Sequence, residues 1–237
     1  MPEEAIKNKD MPRDRDEVAD DYNERGISFF NLKKYPEAIK EFTRAIKILG
    51  NDPDYYFNRG LAYYTMRMYD SAIVDYQKAI EIMPGNADYH NAKGCALEDS
   101  SNLVDALEEF TKAIDLEGDI PDFYYNRGNT LYKMGKKELA LKDYSESVKL
   151  NSMDQIFVYK RYSVLMEMER YDEALHDVDS AISLVPENAM YYLLKVDTLG
   201  SMGRKDEAFN VLADASKLSI DSEEIERKII HCILGYQ

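Results

Sequence analysis

Residues 53–86 read PDYYFNRGLAYYTMRMYDSAIVDYQKAIEIMPGN, and residues 121–154 read PDFYYNRGNTLYKMGKKELALKDYSESVKLNSMD. Both open on Pro-Asp, and both carry Asn-Arg-Gly at their sixth to eighth positions. Each is 34 residues long, and residues 87–120 between them make a third span of the same length. Extended in both directions, the frame holds six times: 19–52, 53–86, 87–120, 121–154, 155–188 and 189–222. Position 8 is Gly26, Gly60, Gly94 and Gly128, then Tyr162 and Val196. Position 20 is Ala38, Ala72, Ala106, Ala140, Ala174 and Ala208, and position 27 is Ala45, Ala79, Ala113, Ser147, Ala181 and Ala215. A fixed period of this size marks a stacked array, and array folds offer surfaces for binding.

Within a span the apolar residues recur at three- and four-residue steps, as Tyr56, Gly60, Tyr63 and then Ala72, Tyr76, Ala79 show. That is the helical period. The pattern predicts helix A over about positions 2–14 and helix B over about 18–31. Pro53 and Pro121 suit a first helical turn, where the missing N–H has no partner to lose. Asp54, Asp88 and Asp122 follow there, where a carboxylate complements the helix dipole. Gly50, Pro84, Gly118 and Pro186 stop the B helices. Small residues at positions 8 and 20 let the two helices approach closely, and large ones such as Tyr22, Phe29 and Phe42, or Tyr124, Leu131 and Tyr144, fill the crossing. One hairpin cannot bury its apolar face alone, so the spans must stack.

The chain has 237 residues, 45% of them apolar, which excludes a disordered polymer and supports one elongated domain. Its net charge of −15 argues against nucleic acid and anionic membranes as partners. Cys95 and Cys232 are the only cysteines and lie far apart, as expected in a reducing compartment. The opening MPEEAIKNKDMPRDRDEV has no apolar stretch for secretion, and no apolar run long enough to span a bilayer occurs. A cytoplasmic setting is expected. Residues 1–18 are expected to be a charged, flexible leader. Residues 223–237, with Ile225, Ile229, Ile230, Ile233 and Leu234 on one stripe, are expected to form a C-terminal capping helix.

The pattern resembles the tetratricopeptide repeat family: aromatic at position 4, small at 8, large at 11, alanine at 20, aromatic at 24 and alanine at 27. The resemblance implies an all-α fold, an α-solenoid of six helix-turn-helix hairpins in a right-handed superhelix. Repeats 5 and 6 depart from it. Tyr162 and Val196 replace the glycine, and Val158 replaces the aromatic at position 4. A bulky residue at position 8 should push helix A away from helix B and alter the curvature between repeats 4 and 5.

Position 7 is basic throughout: Arg25, Arg59, Lys93, Arg127, Arg161, Lys195. Position 23 is acidic in five repeats, Glu41, Asp75, Glu109, Asp143 and Asp177, and is Val211 in the sixth. Two pairings are open: pairing within a repeat leaves Lys195 opposite Val211, whereas pairing each acid with the cation of the following repeat uses all five acids, leaves only Arg25 free and sets Val211 against Ile229. The second fits better and predicts a ladder of ion pairs between repeats.

The resemblance also implies that the A helices line a concave face. The candidate partner-binding residues on it are Asn23, Phe30, Phe57, Asn58, Tyr64, Asn91, Tyr125, Asn126, Asn129 and Tyr132. Asparagine amides both donate to and accept from a peptide backbone, and aromatics supply flat contact area. Packed helices lie ~8–10 Å apart and an extended chain advances ~3.3 Å per residue, so four repeats match roughly a dozen ligand residues. The inner positions carry the acids Asp20, Glu24, Asp54, Asp88, Glu98, Asp99, Asp122, Glu167 and Asp197 against only Lys133 and Lys160. A neutral to basic protein or peptide segment is the expected partner. The two-carboxylate clamp of chaperone-binding relatives needs lysine at position 5 and arginine at position 9, and neither column holds any, so chaperone-tail binding is not expected.

No nucleophile–base arrangement, phosphate loop or metal spacing is present in the sequence. His90 fills the aromatic slot of repeat 3 and reads as a core histidine. No enzyme activity, metal or cofactor is expected. The reading is an adaptor that holds an extended or helical segment in the groove; the alternative is a fixed subunit of a large assembly, contacting through its convex face and last helix.

Overall fold

The computed structural model describes residues 14–216, and the expected capping helix lies outside them. The described residues form twelve α-helices: α1 (Arg15–Asn31), α2 (Tyr35–Ile48), α3 (Pro53–Thr65), α4 (Tyr69–Ile82), α5 (Ala87–Asp99), α6 (Leu103–Leu116), α7 (Pro121–Lys133), α8 (Lys137–Leu150), α9 (Gln155–Glu167), α10 (Tyr171–Leu184), α11 (Ala189–Ser201) and α12 (Lys205–Ser216). Odd-numbered helices are the A helices, and each pairs with the B helix that follows. The fold is an α-solenoid of helix-turn-helix hairpins. In repeats 2 to 5 helix A covers positions 1–13 and helix B positions 17–30, one residue earlier than the periodicity predicts. Residues Arg15–Val18, assigned to the leader by sequence, form the first turn of α1, and the Asp14 side chain caps it through the Asp16 N–H.

In the structure, residues up to Gly118 form one compact unit (α1–α6) and residues from Asp119 form a second (α7–α12). Inside each unit, B helices pack on the A helix of the following repeat: α2 on α3 and α4 on α5 in the first, α8 on α9 and α10 on α11 in the second.

Local chemistry explains the element ends. Pro53 and Pro121 stand at the first helical position. The side chains of Asp52, Asn86, Asp154 and Asn188 accept from backbone N–H groups two residues on and close the A-helix N-termini. The A-to-B turn is the same in every repeat. Position 15 is left-handed: Lys33, Arg67, Ser101, Gly135, Glu169 and Gly203 have φ between 56 and 75°. The next N–H then reaches back to the carbonyl five residues earlier, as Met68 N does to Tyr63 O at 2.9 Å. This is the bond that satisfies an orphan carbonyl at a helix C-terminus.

The hairpin core is a ring against a glycine. A Cβ built on Gly26 would lie 2.4 Å from the Phe42 ring, and one on Gly60 would lie 2.7 Å from Tyr76. Gly94 faces Phe110 at 2.7 Å and Gly128 faces Tyr144 at 2.8 Å in the same way. The ring at position 24 thus occupies the space a side chain at position 8 would take. Its other side meets a small residue at position 10 of the next repeat, Ala62 for Phe42 and Ala96 for Tyr76. The repeats join through position 3, where Tyr55 packs on Ala45 and Ala19, and Tyr89 packs on Ala79.

Repeats 5 and 6 exchange these volumes. Tyr162 stands at position 8 with Val178 at position 24, and Val196 stands opposite Leu212. The expected separation is present: α9–α10 and α11–α12 approach over a much shorter stretch of backbone than the four glycine hairpins. The Tyr162 ring now crosses to α11, and its hydroxyl donates to the Leu194 carbonyl at 3.1 Å.

Two glycine substitutions should move stability in opposite directions. Gly60→Ala should lower it by about 1–2 kcal/mol, because the new methyl collides with Tyr76 and this outweighs the gain in helix propensity. A Cβ at Gly200, also helical, meets nothing within 4 Å, so Gly200→Ala should raise stability by about 0.5–1 kcal/mol. Urea unfolding midpoints of the two variants check both signs.

Candidate functional site

The position-7 cations bind inside their own hairpins. Arg59 reaches Asp75 through two bonds of 2.7 Å, and Arg127 reaches Asp143 through two of 2.8 Å. Lys93 lies 3.0 Å from Glu109 and Arg161 lies 3.0 Å from Asp177. The predicted pairing between repeats is therefore overturned. The physical reason is local: position 7 adjoins the glycine and position 23 adjoins the ring that lies on it, so the two charges face each other across the closest approach of the helices. Repeat 1 differs, with Arg25 stacked on the Tyr22 ring and Glu41 bonded to Arg44. Repeat 6 has Val211 in place of the acid, and Lys195 reaches back to Asp179 of repeat 5 at 2.7 Å. The cation still links repeats, through position 25: Arg59 donates to Thr43 at 3.1 Å and Lys93 to Gln77 at 2.7 Å.

Repeat 3 builds the densest polar cluster. Glu109 accepts from Lys93, sits 2.7 Å from His90 Nδ1 and meets Lys112 at 3.3 Å. His90 Nε2 faces the Pro84 carbonyl at 3.3 Å, so His90 is a buried structural residue, as the sequence predicts. Burial alone would raise the Glu109 pKa, but hydrogen bonds from His90 and Lys93 overcome it and hold the carboxyl below its ordinary range.

A register between repeats does exist, and it runs along the A helices through tyrosine hydroxyls. Tyr55 donates to Asp20 at 2.5 Å and Tyr89 to Asp54 at 2.6 Å, each from position 3 to position 2 of the preceding repeat. Tyr64 donates to Asp99 at 2.6 Å and Tyr132 to Glu167 at 2.7 Å, each from position 12 to position 13 of the following repeat. Neighbouring A helices are thus offset by one residue. Burial, then the hydrogen bond to a carboxylate, raise the pKa of Tyr55, Tyr64 and Tyr89, so they stay protonated donors at every ordinary pH. The carboxylates of Asp20, Asp54, Asp99 and Glu167 belong to exposed residues. The sequence carried a signal for position 3, since Tyr55, Tyr89, Phe123, Phe157 and Tyr191 form an aromatic column beside the one at position 4.

The predicted binding residues all lie on A helices. In the first unit Asn58 Nδ2 donates to Asn23 Oδ1 at 3.0 Å, which uses one of several amide valences on each side. Phe30 meets Tyr35 edge-on at 5.4 Å between ring centroids, and Tyr64 lies 5.7 Å from Tyr69. Phe57 sits between Tyr76 and Tyr89, at 5.7 and 4.9 Å. In the second unit Tyr125 repeats that geometry between Tyr144 and Phe157, at 6.1 and 5.2 Å. Both rings therefore act as packing between repeats and remain only half-buried. Asn129 accepts from the Tyr144 hydroxyl at 2.9 Å. Asn91 in the first unit and Asn126 in the second are each half-buried, and Tyr132 is the most open of the set, 38% exposed.

A family model for the tetratricopeptide repeat matches residues 53–86 and 121–154, and a second model of the same repeat matches residues 26–66. The chain carries tetratricopeptide repeats. Proteins of this family mediate protein–protein interactions. The tetratricopeptide fold is shared with PilF of Pseudomonas aeruginosa, at TM-score 0.67 and 20% identity over 90% of this chain and 97% of that one. YrrB, described as a protein of this family with an unusual peptide-binding site, superposes at TM-score 0.59 and 22% identity, over 79% of this chain and 96% of its own. MamA from Desulfovibrio magneticus RS-1 superposes at 0.66 with 15% identity, over 75% and 98%. A comparison with curated proteins finds no match. None of the described helices is long and apolar enough to cross a membrane.

The Glu109 cluster makes stability depend on acid in a defined sense. A carboxyl held below its unfolded value stabilises fully above that value, 4.5, and loses the contribution as the pH falls through the folded value. Glu109→Gln should lower stability by about 2 kcal/mol at neutral pH, with the gap to wild type constant down to about pH 5 and closing below it. Denaturant titrations at a series of pH values measure this gap directly.

Proposed function

We propose that this protein is an adaptor without catalytic activity, holding an extended or helical segment of a partner protein on the A-helix face of its repeats. One observation carries the reading. Exposed carboxylates on that face are pinned in place by tyrosine hydroxyls of the adjacent repeat, so the acidic surface is ordered before any partner arrives. A surface that has already lost its rotamer freedom binds with less entropic cost. The A helices of each unit also carry asparagine amides and a half-buried ring, Phe57 in the first and Tyr125 in the second. The partner segment is neutral to basic, and three repeats of one unit match about nine extended residues. The peptide site for which YrrB is described gives the fold a precedent for this use.

The test is selection from a random peptide library, followed by titration of the full chain with the selected peptides. Selected peptides should be enriched in lysine and arginine, and raising salt from about 50 to 500 mM should weaken binding. The variant carrying Asn58→Ala, Asn126→Ala and Tyr132→Ala should lose at least about tenfold in affinity. Enrichment of acidic peptides, or an affinity unchanged in the triple variant, would move the site off this face.

A further inference from the structure

Repeat 5 contains a cavity shaped by a missing ring. Position 4 carries Tyr22, Tyr56, His90, Tyr124 and Tyr192 in the other repeats, and Val158 here. Between them, these rings make two kinds of contact. In one, the ring lies over the position-7 cation: Tyr22 over Arg25 at 4.2 Å, Tyr56 over Arg59 at 5.8 Å and Tyr124 over Arg127 at 5.9 Å. In the other, its polar tip reaches the carbonyl six residues earlier, in the turn before helix A. Tyr56 donates to Gly50 O at 3.2 Å and Tyr192 to Pro186 O at 2.8 Å, and His90 Nε2 faces Pro84 O at 3.3 Å.

Val158 can do neither. The structure has there a partly open cavity of about 220 Å³, lined by Val148, Val158 and Leu184 together with Ser152, Arg161 and Asp177. Ser152 is the residue six before Val158, and Arg161 is the position-7 cation. The apolar and polar walls thus stand where a tyrosine ring and its hydroxyl would meet them. An apolar cavity of about 150 Å³ is already enough to hold benzene. The ion pair beneath is also imperfect. Arg161 Nε and Asp177 Oδ2 are 3.0 Å apart, yet both are buried and neither makes a hydrogen bond, unlike the two-bond pairs of Arg59 and Arg127.

We propose that this cavity is a binding site for a phenol ring, which lies over Arg161 and donates its hydroxyl toward the Ser152 turn. The proposal stands apart from the A-helix-face reading, because its walls come from α8, α9, α10 and the turn between α8 and α9.

The probes are p-cresol, which is the tyrosine side chain itself, toluene, and N-acetyl-tyrosinamide, each titrated into the full chain. Methyl NMR and thermal melting supply the readouts. p-Cresol should shift the methyl signals of Val148, Val158, Ala181 and Leu184 and raise Tm as its concentration rises. Toluene, without the hydroxyl, should bind about tenfold more weakly. Val158→Tyr should fill the cavity with its own ring and abolish the p-cresol response, and Val158→Phe should reduce it. N-acetyl-tyrosinamide binding as well as p-cresol assigns the site to a tyrosine of a partner protein; binding of p-cresol alone assigns it to a free phenol. Either result upholds the phenol site. Unchanged methyl signals in wild type overturn it and leave a water-filled gap, an outcome that does not need either variant to fold. Toluene equal to p-cresol, or equal responses in wild type and Val158→Tyr, overturn it as well.

Discussion

The architecture depends on an aromatic ring that rests on bare backbone. In repeats 1 to 4, Phe42, Tyr76, Phe110 and Tyr144 lie where a side chain at Gly26, Gly60, Gly94 or Gly128 would have to be. That contact sets the distance between the two helices of a hairpin, and the other constraints follow from it. The ring's far side needs a small residue on the next A helix, which Ala62 and Ala96 supply. Repeat 5 shows that what matters is the filled volume and not the residue order. Tyr162 and Val178 exchange the large and small partners, the crossing opens, and the displaced ring finds a new acceptor on α11.

Close approach also decides where the charges go. Residues 7 and 23 adjoin the glycine and the ring, so the tight crossing brings their charges together within one hairpin. Such pairs are largely buried, and desolvation cancels much of their attraction. Their consequence is specificity: an Arg59 forced out of register would leave Asp75 buried without its two bonds. Between repeats, tyrosine hydroxyls and the rings at position 3 act beside the position-7 cations that reach position 25 of the preceding repeat. A hydroxyl costs less to bury than a full charge, and four of these donors nonetheless end on carboxylates at the solvent edge.

Much of this was legible in the sequence, and the failures are instructive. The period, the small columns at 8, 20 and 27, and the proline starts were enough for the hairpins, because each reflects a steric rule that acts locally. The widening of repeats 5 and 6 could be read from Tyr162 and Val196 for the same reason. The partners of the ion pairs are not legible in a count of acids, because the count ignores which neighbours the glycine brings into reach. The A-to-B turns were silent because glycine occupies position 15 only at Gly135 and Gly203, while Lys33, Arg67, Ser101 and Glu169 adopt the same φ under the constraint of their helices. Of the candidate binding residues, Phe57 and Tyr125 proved to be packing between repeats as well as surface, a double use that composition at a single position does not reveal.

Repeat 5 is where these local rules lapse together, and the lapses share a consequence. Position 8 is large, position 24 is small, position 4 lacks its ring, and position 2 is Ile156 where repeats 1 and 2 have the aspartates that Tyr55 and Tyr89 use. The Tyr191 hydroxyl, which stands at position 3 of the next repeat, is buried and makes no hydrogen bond. Arg161 and Asp177 are left misaligned in the same repeat, and burial raises the Asp177 pKa although Arg161 opposes the shift. A repeat selected only to continue the stack would be expected to satisfy its buried polar groups, as repeats 2 to 4 do at their position-7 pairs. Departures also occur in repeats 1 and 6, but they are densest in repeat 5, and such a concentration is where a sequence trades local consistency for a site.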